Sequence, residues 1–460
     1  MDNRKTAISA GIMKKAPIAS ACFMGLGQIL YLKQYIRGFM LAAAEAVMLF
    51  FMLFNPATMS FNGRGPVIQS LIGLITLGDP HPELPVKFRD HSIFMMITGL
   101  IVLICCALYV CLYVYNIRDA RKSAAQLVSK QRYPSLRETH DNLQEKAFPY
   151  MGILPVVILI AFFTIIPLLF AALVAFTNYS SPDHIPPNNL VDWVGFENFQ
   201  TMFTRMGDGS ATNAWFGAFC RVAVWTLVWA FASTVTCYFV GMFFAVLLKD
   251  NRIKISAFYR TIFILPYAIP SMLTLFIWQN LLNGTFGPIN RTLIALGVIS
   301  NPIPWLSDPN MARLTLILVN IWIGFPYSMI LITSNMTAIP SQLYEAATID
   351  GANKWQQFRS VTFPLVLYQT MPILIMQFAG NINNFGAVFF LTAGDPKLSD
   401  TITTQAGATD LFISWIYKLT YNTPNMYNLA SVLSILVFVV LVPFAVYNFT
   451  HTKSFKDGEI

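Results

Sequence analysis

Eight stretches of this chain are each long and apolar enough to cross a bilayer, and no other feature constrains its fold as strongly. They run roughly over 37–54, 92–115, 149–177, 217–248, 258–281, 313–336, 366–391 and 428–450. A membrane helix needs about 20 mostly apolar residues, and inside hydrocarbon only a helix satisfies every backbone group within one segment. Charge agrees with this reading. Asp, Glu, Lys and Arg make up 11% of the 460 residues, against about 25% in a soluble domain. Such a chain cannot hydrate its own surface. The expected fold is therefore an all-α integral membrane protein with about eight transmembrane helices. The run at 17–31 is apolar but short, and is expected to be interfacial or re-entrant rather than a crossing. The run at 217–248 is too long for one straight crossing, so a tilt or an interfacial start is expected.

Orientation follows from Lys and Arg. With the N-terminus inside, the inner segments hold about 21 of the 30 basic residues, as the positive-inside rule requires. Both termini and the segment 338–365 are then cytoplasmic, in a multi-pass protein of a cell membrane. The net charge of +8 is spread beside apolar runs rather than gathered in one patch. That distribution fits membrane lipid and gives no sign of nucleic acid. The polar inner loop 116–148 divides the chain. Residues 1–147 form an N-terminal extension of two spans, and 148–460 form a core of six spans.

No catalytic constellation stands out, and no Gly-x-x-x-x-Gly-Lys-Ser/Thr phosphate loop occurs. If ATP drives this protein, another chain binds it. The cysteines (Cys22, Cys105, Cys106, Cys111, Cys220 and Cys237) lack zinc-ligand spacing and read as packing residues. The five histidines are scattered, so no metal site is expected. No small-residue cleavage pattern follows the basic N-terminus, so no cleavable signal is expected. Glu45 is the one clear intramembrane acid. An ion-coupled pump usually needs several, so Glu45 is expected to make a packing hydrogen bond or a partner contact.

Uncharged polar groups collect at similar depth in three successive spans. The fifth has Pro266-Tyr267-Ala268-Ile269-Pro270-Ser271, where two prolines four apart bend the helix. The sixth has Trp322-Ile323-Gly324-Phe325-Pro326-Tyr327, and the seventh has Gln377, Gly380, Asn381 and Asn384. At about 1.5 Å per residue, Tyr267, Gly324 and Asn381 fall near the bilayer middle. Amides in hydrocarbon are costly unless they face protein or water. Amides, phenols and flat rings without fixed charge suit a neutral polyol better than an ion. The same groups equally suit interhelical packing.

Between the sixth and seventh spans, 338–365 looks soluble. Ser341 is expected to cap a short helix with Tyr344 and Glu345 in its first turn. Gly351 supplies a turn, and a second short helix is expected to end at Pro364. The spacing Glu345-Ala346-Ala347, Gly351, then Val361-Thr362-Phe363-Pro364 resembles the EAA loop of importer-type ABC transporter permeases, with Phe363 in a place usually taken by Leu. From about Phe148 to Phe449 the chain is similar to the larger permease subunit of the maltose/maltodextrin ABC importer.

The resemblance carries several implications. Glu345, Ala346, Ala347, Asp350 and Gly351 would dock into an ATPase. The substrate contacts would fall on Tyr267, Ser271, Ile323, Gly324, Tyr327, Gln377, Gly380, Asn381 and Asn384. Gln377 stands where that family has Ser, and Gly380 where it has Phe, which leaves the sugar's pose open. The partners would be a second permease, an ABC ATPase dimer carrying ATP and Mg, and an extracellular solute-binding protein. The substrate would be a maltodextrin-type sugar. This chain itself would be no enzyme and would hold no cofactor. Another oligosaccharide or polyol is the nearest alternative. An ion-coupled secondary transporter is further off, since the acids it needs are missing.

Overall fold

The computed structural model describes residues 2–55, 60–61, 65–130, 133, 152–203, 212–249 and 255–451. It is helical apart from two paired two-residue strands, β1 (Phe54–Asn55) and β2 (Ser60–Phe61). Among the described residues, seven helices are long and apolar enough to cross a membrane, or eight counting a bent pair as one span. This matches the expected all-α, eight-span architecture. The chain forms two compact units, Met1–Trp193 and Val194–Ile460. The extension–core boundary at 147/148 lies outside the described residues.

The first unit holds α1 (Asp2–Cys22), α2 (Leu26–Leu30), α3 (Tyr35–Leu53), α4 (Pro66–Thr76), α5 (Ser92–Lys130) and α6 (Gly152–Val174). Residues 17–31 do not cross. They form the end of α1, a turn and α2. Gly25 makes that turn at φ +80°, where a Cβ would come 2.0 Å from the Gly38 carbonyl oxygen, so only glycine fits. Polar groups seal the turn. Ser20 donates to Gln28 at 2.7 Å, Gln28 donates to Asn116 Oδ1 at 3.1 Å, and Asn116 donates back to the Ser20 carbonyl at 2.8 Å.

Glu45 belongs to this arrangement. Its carboxylate is buried and accepts from the Met24 backbone N–H, a donor freed by the turn. Glu45 is therefore a packing acceptor. Glu45→Ala is expected to destabilise the first unit by about 1–3 kcal/mol, the cost of a buried donor left unpaired. Glu45→Gln keeps an acceptor and should recover most of that. Thermal unfolding of the purified protein in detergent checks both.

The second unit holds α7 (Glu197–Phe203), α8 (Thr212–Lys249), α9 (Ser256–Ala268), α10 (Ser271–Leu281) and α11 (Pro288–Ala295). It continues with α12 (Pro309–Ala338), α13 (Ser341–Ile349), α14 (Lys354–Ile382), α15 (Phe385–Leu391), α16 (Thr401–Thr404), α17 (Phe412–Tyr421) and α18 (Tyr427–His451). Helix α8 is its axis, and α12 and α14 pack along it. One buried cluster joins Trp225 and Trp229 to Leu316, Val388 and Leu411. The segment 392–411 is folded back and fixed by ion pairs, Arg221 to Asp400 and Lys418 to fully buried Asp410, each at 2.7 Å. Burial pushes the Asp410 carboxyl up, and Lys418 opposes that shift.

Four local expectations need correction. The run 366–391 is not one helix: α14 ends at Ile382 and α15 begins at Phe385, with Asn384 accepting from the Ala387 N–H as its N-cap. Ser341 does not cap α13; it is the first helical residue, and Pro340 stands at the cap without a side-chain bond. Glu345 consequently lies one residue beyond the first turn. Pro364 ends nothing. A wide π turn over Phe358–Thr362 precedes it, and the helix continues through it. The wider turn moves the carbonyl that the proline ring would strike. Helix α6 uses the same device, with a π turn at Ala161–Ile165 just before Pro167.

Candidate functional site

The fifth span is a broken helix. Pro270 has no N–H to give, and the residue before a proline avoids helical geometry. Ile269 is extended (ψ 136°), and α9 and α10 meet there at 89°. Tyr267 sits just before the break and Ser271 just after it, both exposed. The Tyr267 ring lies 5.8 Å from that of Tyr327 on α12. Nearby, Trp278 of α10 meets Trp322 of α12 edge-on at 5.5 Å.

The structure uses some of the candidate residues for packing. A Cβ at Gly324 would approach the Cys237 sulfur to 2.9 Å, so Gly324 lets α12 pack closely on α8. Ile323 packs against the tryptophan-rich core. On α14, Asn381 Nδ2 donates to Thr234 Oγ1 of α8 at 3.0 Å, and the Asn381 carbonyl accepts from Trp229 Nε1 at 3.1 Å. Gly380 is exposed with open space where a side chain would stand. Trp229 and Thr234 were not legible as site-forming, because nothing in their spacing points at Asn381.

Tyr267 and Tyr327 are brought together, whereas among the described residues no hydrogen bond or ring contact joins them to Gln377, Asn381 or Asn384. What all five share is unused capacity. Among the described residues, no hydrogen bond engages the two phenol hydroxyls, the Gln377 amide, Asn381 Oδ1 or Asn384 Nδ2. The same holds for the Ser271 hydroxyl. Also among the described residues, no group of three His, Cys, Asp or Glu side chains could hold a metal.

A second candidate surface is the helix–turn–helix at 341–362. Gly351 turns the chain at φ +78°. Asn353 and Gln356 then form a capping box at 2.9 and 2.8 Å. Two bonds lock the arms: Tyr344 OH to Thr362 at 3.0 Å, and Gln357 Nε2 to Thr348 at 3.0 Å. Glu345, Ala346, Asp350 and Gly351 are exposed, and Ala347 is half-buried. Sequence reading passed over Ile349 and Trp355, 86% and 67% exposed. Two large apolar side chains on a rigid polar loop are what a partner groove would take up.

Comparison with known proteins follows the same lines. The family described as Binding-protein-dependent transport system inner membrane component matches residues 237–452. The chain is 37% identical over 435 residues to the galactooligosaccharides transport system permease protein GanP of Bacillus subtilis, covering 94% of this chain and 96% of that one. It is 36% identical to the maltodextrin transport system permease protein MdxF of the same organism, covering 85% and 88%. Against the maltose/maltodextrin permease protein MalF of Salmonella typhimurium it is 38% identical over 262 residues, 56% of this chain and 49% of that one. Among solved structures, a bacterial ABC transporter that imports the acidic polysaccharide alginate has a chain with the same fold. The TM-score is 0.52 at 20% identity, over 68% of this chain and 97% of that one.

Proposed function

The chain belongs to the inner membrane components of binding-protein-dependent transport systems, as a permease of the sugar-importing ABC kind, and on that premise we propose that it admits maltodextrin-type oligosaccharides. It is a multi-pass membrane protein. Its partners in this reading are a second permease, an ABC ATPase dimer that binds ATP and Mg2+, and an extracellular solute-binding protein. Both termini and the 341–362 loop face the cytoplasm.

The carrying observation is the set of unengaged hydrogen-bonding atoms on Tyr267, Ser271, Tyr327, Gln377, Asn381 and Asn384, beside two aromatic faces and without fixed charge. Hydroxyls of a sugar can use the first, and its C–H faces the second. A phosphorylated or ionic solute would want a cation there. Closure of the ATPase dimer moves the loop carrying Glu345, Ala346, Ala347, Asp350 and Gly351. The helices rock about the break at Ile269–Pro270, and the midplane site opens in turn to each side, as at other broken-helix sites.

Galactooligosaccharides are the second reading, favoured by the 37% identity to GanP over nearly the whole chain. The open space at Gly380, where the resembled family carries Phe, leaves room for a different sugar shape. Uptake of labelled maltotriose and of labelled galactotriose by cells lacking and regaining this chain tests both. Maltotriose uptake lost and restored is the expected result. Restoration of galactotriose uptake alone would shift the substrate, and restoration of neither would overturn the reading.

A further inference from the structure

The ends of three helices and the docking loop meet at two cations. Lys249 is the last residue of α8. Its Nζ donates to the Met336 carbonyl in the last turn of α12 at 3.0 Å. The same ammonium lies 5.2 Å from the ring centre of Tyr344 on α13, a favourable cation–ring approach. One residue back, the Leu248 carbonyl accepts from Arg260 Nη2 of α9 at 3.2 Å. Both cations sit against helix C-terminal carbonyls, the end at which positive charge is favoured. Among the described residues neither is paired with a carboxylate. Below them, Leu248, Met336 and Ile339 form part of a buried apolar cluster against which Tyr344 packs.

Every helix leaving this node reaches the candidate sugar site. Along α9, Arg260 is followed by Tyr267 about 10 Å away; along α12, Met336 leads back to Tyr327 over about 14 Å; along α8, Lys249 leads back to Thr234, the partner of Asn381, over about 22 Å. Helices shift as rigid elements by about 1–2 Å in such transitions. Tyr344 touches Lys249 directly and belongs to the loop that meets the ATPase.

We propose that Lys249 is the positioning residue that transmits displacement of the docking loop to the helices holding Tyr327 and Asn381, with Arg260 tying in the helix that holds Tyr267. The proposal rests on the functional reading above and adds a route to it. Lys249 touches no sugar and no ATP. It works by holding two partners, the Met336 carbonyl and the Tyr344 ring, to the end of its own helix, so that α8, α12 and α13 move together. A bare brace would stabilise the loop without linking hydrolysis to uptake.

The test uses the complete transporter in proteoliposomes, with ATP on the ATPase side and maltotriose-loaded binding protein on the other. The readout is maltotriose imported per ATP hydrolysed. Lys249→Met keeps the aliphatic stem and removes the donor. It is expected to lower the ratio at least about fivefold, the low end of typical coupling effects, with the ATPase still co-purifying. Lys249→Arg restores a donor and a ring contact and should return most of the ratio. An unchanged ratio in Lys249→Met, whatever the absolute rates, overturns the proposal. So does a lowered ratio that Lys249→Arg leaves uncorrected. Failure of the wild-type complex to import maltotriose would instead strike the functional reading itself.

Discussion

Gly351→Val is expected to cut sugar uptake roughly 10- to 100-fold while leaving the membrane helices folded. Gly351 holds φ +78° between α13 and α14. A β-branched residue there is strained by about 1–3 kcal/mol, and each 1.4 kcal/mol is about a factor of ten. Crowding is not the cause, since nothing lies within 4 Å of a Cβ built at this position. The strain is relieved only by re-angling α13 against α14. That breaks the Gln357 bonds to Thr348 and the Ala352 carbonyl, at 3.0 and 3.1 Å, and re-aims the exposed Ile349 and Trp355, which the proposed docking would use. Gly351→Asn separates backbone strain from everything else, because Asn enters the left-handed region readily. It should stay close to wild type. The measurements are uptake and the amount of ATPase recovered with the complex. Full uptake in Gly351→Val would remove the loop from the mechanism.

The double variant Tyr267→Phe/Tyr327→Phe is expected to lose sugar transport by a similar factor with assembly intact. Each hydroxyl lost from a sugar contact is worth about 0.5–1.5 kcal/mol, so two account for roughly 10- to 100-fold. The rings remain, and with them the 5.8 Å pairing that sets the local packing of α9 on α12. Asn381→Ala is a poorer probe, although its sequence makes it the obvious one. Its amide also ties α14 to Thr234 of α8, so its loss mixes packing with binding. Uptake at the wild-type rate in the double phenylalanine variant would assign the tyrosines to packing alone.

Much of the architecture was legible because bilayer thickness and helical rise together demand apolar runs of a fixed length. The bend at Ile269–Pro270 was legible too, from two prolines four apart, although its 89° was not. Gly351 announced its turn. Other features depend on contacts that spacing does not encode. Nothing near Pro167 or Pro364 signals that a π turn will carry the helix past it. The break at Asn383–Asn384 is hidden because apolar residues continue on both sides, and only the cap that Asn384 makes reveals a new helix. Glu45 could be read as an isolated acid, but its partner is a backbone N–H in a turn that had no predicted shape. Thr234, Trp229 and Lys249 matter only through helices 87 to 152 residues away in sequence. For the candidate site, the sequence supplied residue types at one depth. The structure added which of their atoms are already engaged.

The central claim is that the uncharged polar groups at the helix break hold a sugar. It is tested most directly by the amount of labelled maltotriose retained by the purified complex when a non-hydrolysable ATP analogue traps it. The wild-type complex should retain sugar, and the Tyr267→Phe/Tyr327→Phe complex, of unchanged subunit composition, should retain about tenfold less or lower at limiting sugar. Equal retention by the two would contradict the account and leave those tyrosines as packing between α9 and α12.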